Sequence, residues 1–471
     1  MATKRDLVEA HAFSRRRLVT AFVSGAPGGR EVEPARPARV IVGGAALSVL
    51  LIAGAAIAGV FSNKTPDDWA KPGLFISKET GAAYVITDDE RPIVVRPVIN
   101  ITSAKLILGA DVEPTIIAQE ALEGEIVGGD IGILGAPASP PGVARLIESG
   151  WTACTDTDTG LRLDVSTETA TRATVATGSV VRSGGRFYLM AQAKPAGSVP
   201  PGAQRYLLPR DAGARDNMLT ALGLQAGAYA TEVSETYLGL FPSGGDLAVD
   251  SLGLSRLGDP APYATAESNL PDGSQIGDIV SYDGGALLLG ADHPVDLDPF
   301  AQAVYANVAA PDTPRVTQVS GAVNVERGPS TYAEADWPGT LLTPLLGEQC
   351  AKLDAGSGSA PRVQLVGDPA GDASAAEVPA GTTSVRVDAG HGAFVYSGDW
   401  SDETSGAPFL MDAKGLAYPL VGVGAADQLG YASVRTPVVP DTWIELFRTG
   451  VALSQDSALC PPDREAGPSC E

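Results

Sequence analysis

An α+β protein held by a single membrane span is the fold class this sequence predicts, and three observations predict it. An uncharged run from Val40 to Phe61 divides the chain. The net charge of −23 is unevenly spread on its two sides. Beyond the run, short β-like stretches alternate with single helical ones in an order that recurs. The expected architecture is a cytosolic amphipathic helix, one transmembrane helix and an elongated extracytoplasmic domain. That domain should hold four small α/β repeats around a central β-rich domain. At 471 residues the chain exceeds what one hydrophobic core organises, so several packed units are expected.

The first element lies in residues 1–39, which hold 8 basic and 4 acidic side chains. In "TKRDLVEAHAFSRRRLVTAF", Thr3 and Asp6 have capping-box spacing. Leu7, Ala10, Leu18, Ala21 and Phe22 fall within about 120° on a helix of 3.6 residues per turn. Arg5, Arg15, Arg16 and Arg17 lie mostly off that stripe. One short helix cannot hide such a stripe, so it should dock on lipid headgroups or on a partner subunit. "SGAPGGREVEPARPAR" then reads as a flexible linker.

The second element is the run itself, "VIVGGAALSVLLIAGAAIAGVF". As a helix its 22 residues reach about 33 Å, enough for a hydrocarbon core of about 30 Å. A cleaved signal peptide would carry a shorter apolar region closer to the N-terminus. Arg30, Arg36 and Arg39 precede the run and "SNKTPDDWA" follows it, so the N-terminus belongs in the cytoplasm. The remainder, 62–471, lies outside and carries the acidic excess. A surface of that charge excludes nucleic acid, whose phosphates it would repel.

Within the outer region a single phrase is written twice: "VSETYLGLFPSGGDL" from Val233 and "VPDTWIELFRTGVAL" from Val439. "GGRFYLM" then "ALGL" precede the first copy, and "GHGAFVY" then "QLGY" precede the second. "GAAYVIT" with "AKLILG", and "GGALLLG" with "FAQAVYANV", are weaker relatives. Four modules follow, each a hairpin of short strands with one helix, near 74–125, 181–255, 279–310 and 385–455. None could bury its apolar face alone, so copies must pack on one another. A central β-domain is expected from 126–180 and 311–384, where "WTACTDTDTGLRLDVSTETATRATVATGSVVR" alternates in polarity.

Cys154, Cys350, Cys460 and Cys470 all follow the span, as suits disulfides in an oxidising compartment. Three pairings are open, and the preferred one joins Cys154 to Cys350 and Cys460 to Cys470. The spacing lacks the close cluster that zinc requires.

Catalytic signals are sparse. Beyond the span, His293 and His391 are the two histidines, each beside turn residues and neither in H-E-x-x-H spacing. No G-x-S-x-G elbow occurs. "DTDTG" at Asp156 to Gly160 lacks the oxygen ligands that close a calcium loop. A phosphate-cradling P-loop needs Gly-Lys, a dipeptide absent from this chain. No catalytic, cofactor or metal residue is therefore assigned.

"TKRDLVEAHAFSRRRLVTAFVSG", the span, "WAKPGLFISKETGAAYVITDDERPIVVRPVINITSAKLILGAD", "IGILGAPASPP" and "WTAC" together resemble EccB, the bitopic membrane subunit of the type VII (ESX) secretion system of actinobacteria. The resemblance continues more thinly to the end of the chain. It implies a disulfide between Cys154 and Cys350 and a place in the cytoplasmic membrane with a large domain in the periplasm-like space, and no cofactor is expected from the residues. The partners it implies are EccC, EccD, EccE, further copies of the chain and the lipid bilayer. The implied process is export of small WXG-type helical proteins, with this chain as a structural core component. Two rivals from other classes are an extracytoplasmic nucleotide hydrolase, an ATPase activity ascribed to some of the family, and a bitopic receptor for a cell-wall ligand.

Overall fold

The computed structural model describes residues 4, 8–15, 65, 69–168, 171–173, 176–194, 202–309 and 314–462. The chain divides into two compact units, Met1–Asp67 and Asp68–Glu471. In the first unit residues 8–15 are helical, with Val8 and Phe13 exposed. The span expected from Val40 to Phe61 lies outside the described residues. Among those described, no helix is long and apolar enough to cross a membrane.

The second unit is a mixed α+β body of five small sheets, four of which share one strand order. In the first sheet the strands Gly73–Ser77, Ala83–Ile86, Val94–Pro97, Thr115–Ile117 and Ile126–Val127 are arranged fourth, first, second, third, fifth. Ala393–Gly398, Ala407–Met411, Leu416–Pro419, Val438–Pro440 and Arg448–Thr449 repeat that order in the fourth sheet. In both, the first three strands are antiparallel and the outer two lie parallel to their neighbours.

The second sheet, Thr177–Ser183, Arg186–Gln192, Ala203–Leu207 and Thr231–Glu232, has the same first four positions. A parallel bridge from Arg205 to Ser243 stands where the fifth strand would be. The third sheet, Ile279–Tyr282, Gly285–Leu289, Pro294–Asp296 and Val316–Gln318, again keeps the order. There the Gly328 N–H donates to Pro294 O at the fifth position, at 3.0 Å.

Local chemistry explains why each segment folds this way. Ser183 and Arg186 face one another across a two-residue turn of Gly184 and Gly185, both at positive φ, and such turns match the twist of the flanking strands. The crossover from third to fourth strand is a helix: Ile101–Leu108, Ala212–Ala221, Pro299–Val308 and Ala425–Gln428 in the four sheets. Three start on a side-chain cap. Asn100, Asp211 and Asp298 accept the N–H of Ser103, Ala214 and Ala301 at 2.7–2.8 Å, each cap being worth about 1 kcal/mol.

The twice-written phrase falls just after the fourth strand. It forms the four-residue helices Glu235–Leu238 and Asp441–Ile444, with a third at the same place in Gln119–Leu122. These sheets thus carry a second short helix beyond the single one expected. The two copies meet in one core: Val233, Tyr237, Leu238, Leu240 and Phe241 pack in the same cluster as Val439, Trp443, Ile444, Leu446 and Phe447. Trp443 Nε1 donates across to Leu240 O at 3.3 Å, which satisfies the buried indole. One alignment made from the sequence needs correcting. "GGRFYLM", "GAAYVIT" and "GGALLLG" are second strands, whereas "GHGAFVY" is the first strand of the fourth sheet, whose second strand is Ala407–Met411.

The central sheet is ordered Thr383–Val387, Leu161–Val165, Thr152–Thr155, Gln349–Asp354, Arg362–Gly367, Arg172–Ala173. Cys154 and Cys350 stand opposite one another in its antiparallel ladder, with Cα atoms 4.1 Å apart, and are joined by a disulfide. The second and third sheets both lie on the chain between these cysteines. Helix Ala212–Ala221 packs on Pro299–Val308, joining the second sheet to the third. Helix Ile101–Leu108 packs on Gln455–Leu459, joining the first to the fourth.

Candidate assembly surface

The predicted site residues fall into two groups. Cys154 and Cys350 are fully buried beside Val366 and Ala375. Cys460 is not a free thiol, and Cys470 lies outside the described residues. Of the docking-helix residues, Arg15 is helical and exposed, while Leu7, Arg16, Arg17, Leu18 and Phe22 lie outside the described residues. In "DTDTG", Asp156 Oδ1 accepts the Thr157 N–H at 2.7 Å and Thr159 Oγ1 accepts the Asp156 N–H at 2.8 Å, so the segment closes on itself as a turn. His391 likewise sits in a turn, 3.2 Å from Ala389 O.

One partly exposed guanidinium fastens a buried carboxylate and its neighbours across the central sheet. Arg386 reaches Asp164 at 2.8 Å, Asp372 at 3.0 Å and Asp388 at 3.6 Å, across the pair formed by strands Leu161–Val165 and Thr383–Val387. Burial pushes the Asp164 carboxyl above its ordinary value, and the Arg386 guanidinium only partly reverses that rise. Burial acts upward on Asp388 too. There the Thr167 N–H, the hydroxyls of Ser166 and Thr167, and Arg386 outweigh it, so that carboxyl sits below its ordinary value. Burial also raises Tyr305 and Tyr332 to about 12. Each of these groups is spent on structure. Among the described residues no group of His, Cys, Asp or Glu could hold a metal ion. A cleft beside Leu224, Tyr229 and Pro344 encloses about 40 Å³, well below the roughly 300–1,000 Å³ of a small-molecule site.

The surface offers something different. Where the first sheet meets the fourth, Ile99, Leu134, Val421, Val423 and Val451 are all exposed, Val423 fully so. The chain segments that carry them lie beside one another. The Ile99 N–H donates to Ile131 O at 3.1 Å, a Cβ added at Gly135 would stand 3.4 Å from Val451 Cγ1, and the Val421 N–H donates to Leu453 O at 2.9 Å. Clustered apolar side chains in water mark a contact surface more often than scattered ones do. Sequence reasoning missed this patch. The available signal was "LVGVG" from Leu420, where Gly422 and Gly424 enclose Val423 and Val421 stands beside Gly422, outside any strand.

These features define a disulfide-stapled protein of several small sheets, with exposed apolar side chains where the first sheet meets the fourth and no assembled catalytic group among its described residues. The chain belongs to the EccB family of type VII secretion: residues 1–466 match the family described as "Type VII secretion system ESX-1, transport TM domain B". That family supplies a component of the ESX inner-membrane complex with a periplasmic domain. Over 138 residues the chain is 33% identical to "ESX-1 secretion system ATPase EccB1" of Mycobacterium tuberculosis, a match covering 29% of this chain and 27% of that protein. It is 35% identical over 117 residues to the protein of that name in Mycolicibacterium smegmatis, covering 25% of this chain and 23% of the other. The matched region thus spans about a quarter of these relatives' length.

Two solved structures share the fold. The first is an intact ESX-5 inner membrane complex, at TM-score 0.58 and 21% identity over 100% of this chain and 97% of the other. The second is an EccB3 dimer from the ESX-3 core complex, at TM-score 0.59 and 19% identity over 82% of this chain and 99% of the other.

Proposed function

We propose that this chain is a single-pass structural subunit of a type VII inner-membrane complex, supporting export of small WXG-type helical proteins alongside EccC, EccD and EccE. Its N-terminus lies in the cytoplasm, Val40 to Phe61 crosses the bilayer, and the unit from Asp68 onward stands in the periplasm-like space as four repeats of one module around the central sheet. The second disulfide joins Cys460 to Cys470. The observation that carries this reading is the apolar face of Ile99, Leu134, Val421, Val423 and Val451, which gives a member of this family a surface for joining copies of itself. The ATPase in the relatives' name is not carried over, because the chain has no Gly-Lys loop to cradle phosphates.

The test is co-purification of the complex from membranes, with export measured in the same strains. Leu134→Asp combined with Val423→Asp places two charges in the face and is expected to dissociate copies of the chain while its fold is kept. Undiminished self-association and export would sink the reading. Leu18→Asp tests the cytosolic helix separately. Burying a Leu is worth about 1.5–3 kcal/mol, against at most about 1 for an exposed ion pair, so Leu18→Asp should release the other subunits and Arg16→Ala should do much less. Full subunit stoichiometry with Leu18→Asp would make the helix a membrane-surface anchor instead.

A further inference from the structure

We propose that the outer edge of strand Ile126–Val127 docks a basic, extended segment of another polypeptide, which adds a strand to the first sheet. The argument begins with the ladder. The Ile126 N–H donates to Ile93 O at 3.3 Å and the Gly128 N–H to Val95 O at 2.9 Å, so both face the sheet and the backbone groups of Val127 between them face outward. Ile126 is 51% exposed and Val127 59%. An open edge carrying apolar side chains is a template for another strand, and proteins normally blunt it with charge or proline.

This protein blunts the equivalent edge in its other three sheets. The fifth position is Pro242 and Ser243 in the second, Glu326 and Arg327 in the third, and Arg448 and Thr449 in the fourth. Only the first sheet places two large aliphatic residues there. The charges around them select the occupant. Loop 88–92 leads into Ile93, the hydrogen-bond partner of Ile126, and carries Asp88, Asp89 and Glu90, all exposed, while Glu123, Glu125 and Asp130 flank the strand along the chain. These six carboxylates outweigh the two guanidiniums of Arg91 and Arg96. A second copy would bring the same acidic frame against its own, so the complementary partner is a different, basic chain, paired by its main chain and chosen by its charge.

The probe is a labelled hexapeptide of alternating Lys and Val, titrated by fluorescence anisotropy against the full chain in nanodiscs of zwitterionic lipid. It should bind the wild type, more weakly as salt rises. A peptide of equal charge interrupted by proline, and an alternating Glu and Val peptide, should both bind at least about tenfold more weakly. Ile126→Lys should lose the binding, and so should Val127→Pro, which removes the outward N–H. Ile116→Lys, the same charge change on the opposite edge of the same sheet, should keep it. Binding that survives Ile126→Lys, falls equally with Ile116→Lys, or ignores the proline would overturn the proposal. So would a wild type that does not bind, because the edge would then be closed by lipid, by a second copy or by the chain itself.

Discussion

Gly244→Ala is expected to destabilise the unit from Asp68 onward by about 3 kcal/mol or more, which is unusual for so small a change. An added Cβ would stand 2.2 Å from Tyr206 Cε1 and 2.5 Å from Cδ1, distances that no packed carbon tolerates. Neither partner has room to move. The Gly244 N–H is bonded to Arg205 O at 2.9 Å, and the Tyr206 ring is fully buried with its hydroxyl donating to Asp336 O at 2.5 Å.

Replacing Gly by Ala where the backbone permits it normally stabilises by about 0.4–1 kcal/mol through the unfolded state, so the predicted sign is reversed by contact alone. The fourth sheet repeats the arrangement, Gly450 lying 2.5 Å from Tyr418 Cδ1 by the same placement of a Cβ. At the matching positions of the first and third sheets the neighbours are Arg96 Cγ at 3.0 Å and His293 Cβ at 3.1 Å, so Gly128→Ala and Gly328→Ala should cost less. Gly129→Ala, with nothing within 4 Å, serves as the control. Urea midpoints of the five variants should follow that order. A wild-type midpoint for Gly244→Ala would remove the argument, and a Gly244→Ala/Tyr206→Ala pair losing less than the sum of its singles would locate the clash.

That clasp joins residues nearly forty positions apart and has no period for a sequence to display. What was legible had local grammar. The phrase at Val233 and Val439 could be read as one sentence because both copies place five apolar side chains in a single core at the same offsets. The alignment of "GHGAFVY" slipped by one strand for a related reason. First and second strands of a hairpin share the same alternation, and only the connections tell them apart. The link from second to third strand runs from Gln192 to Ala203 in the second sheet but only from Met411 to Leu416 in the fourth.

The contact face was illegible for a deeper reason. Periodicity reports which side chains turn inward, and Val421 and Val423 look like strand residues until the fold shows that nothing covers them. The family was legible because the block from Trp69 to Asp111 builds most of the first sheet and its helix, where spacing is tightly constrained. The acidic balance was legible as well, though not its concentration around Ile126, which depends on loop 88–92 returning beside a strand more than thirty residues away.

Removing the disulfide is the second large effect. Cys350→Ser should lower stability by about 2–5 kcal/mol, and the reasons can be separated. The bridge spans 196 residues, so its loss frees a long loop in the unfolded chain, and that loop carries the second and third sheets entire. The serine hydroxyl adds a different cost. It would lie in a fully buried cluster with Val366 and Ala375, where an unpaired polar group costs about 1–3 kcal/mol. Cys154→Ala with Cys350→Ala removes the bridge without burying a hydroxyl, so the difference between the two variants reports the second cost and the double variant reports the first.

If the bridge acts mainly on the unfolded state, the double variant should keep native proteolytic resistance in the absence of denaturant while its urea dependence steepens, because its unfolded chain exposes more surface. If the bridge instead holds strands Thr152–Thr155 and Gln349–Asp354 together in the folded protein, cleavage should appear first at the ends of the excursion, near residues 156 and 348, with no change in urea dependence. The first outcome is expected. The ladder between those strands continues through Gln349 opposite Thr155, Ala351 opposite Ala153 and Lys352 opposite Thr152, and Ala153 and Ala351 are fully buried. Hydrogen bonds and burial therefore hold the register that the sulfur atoms only lock.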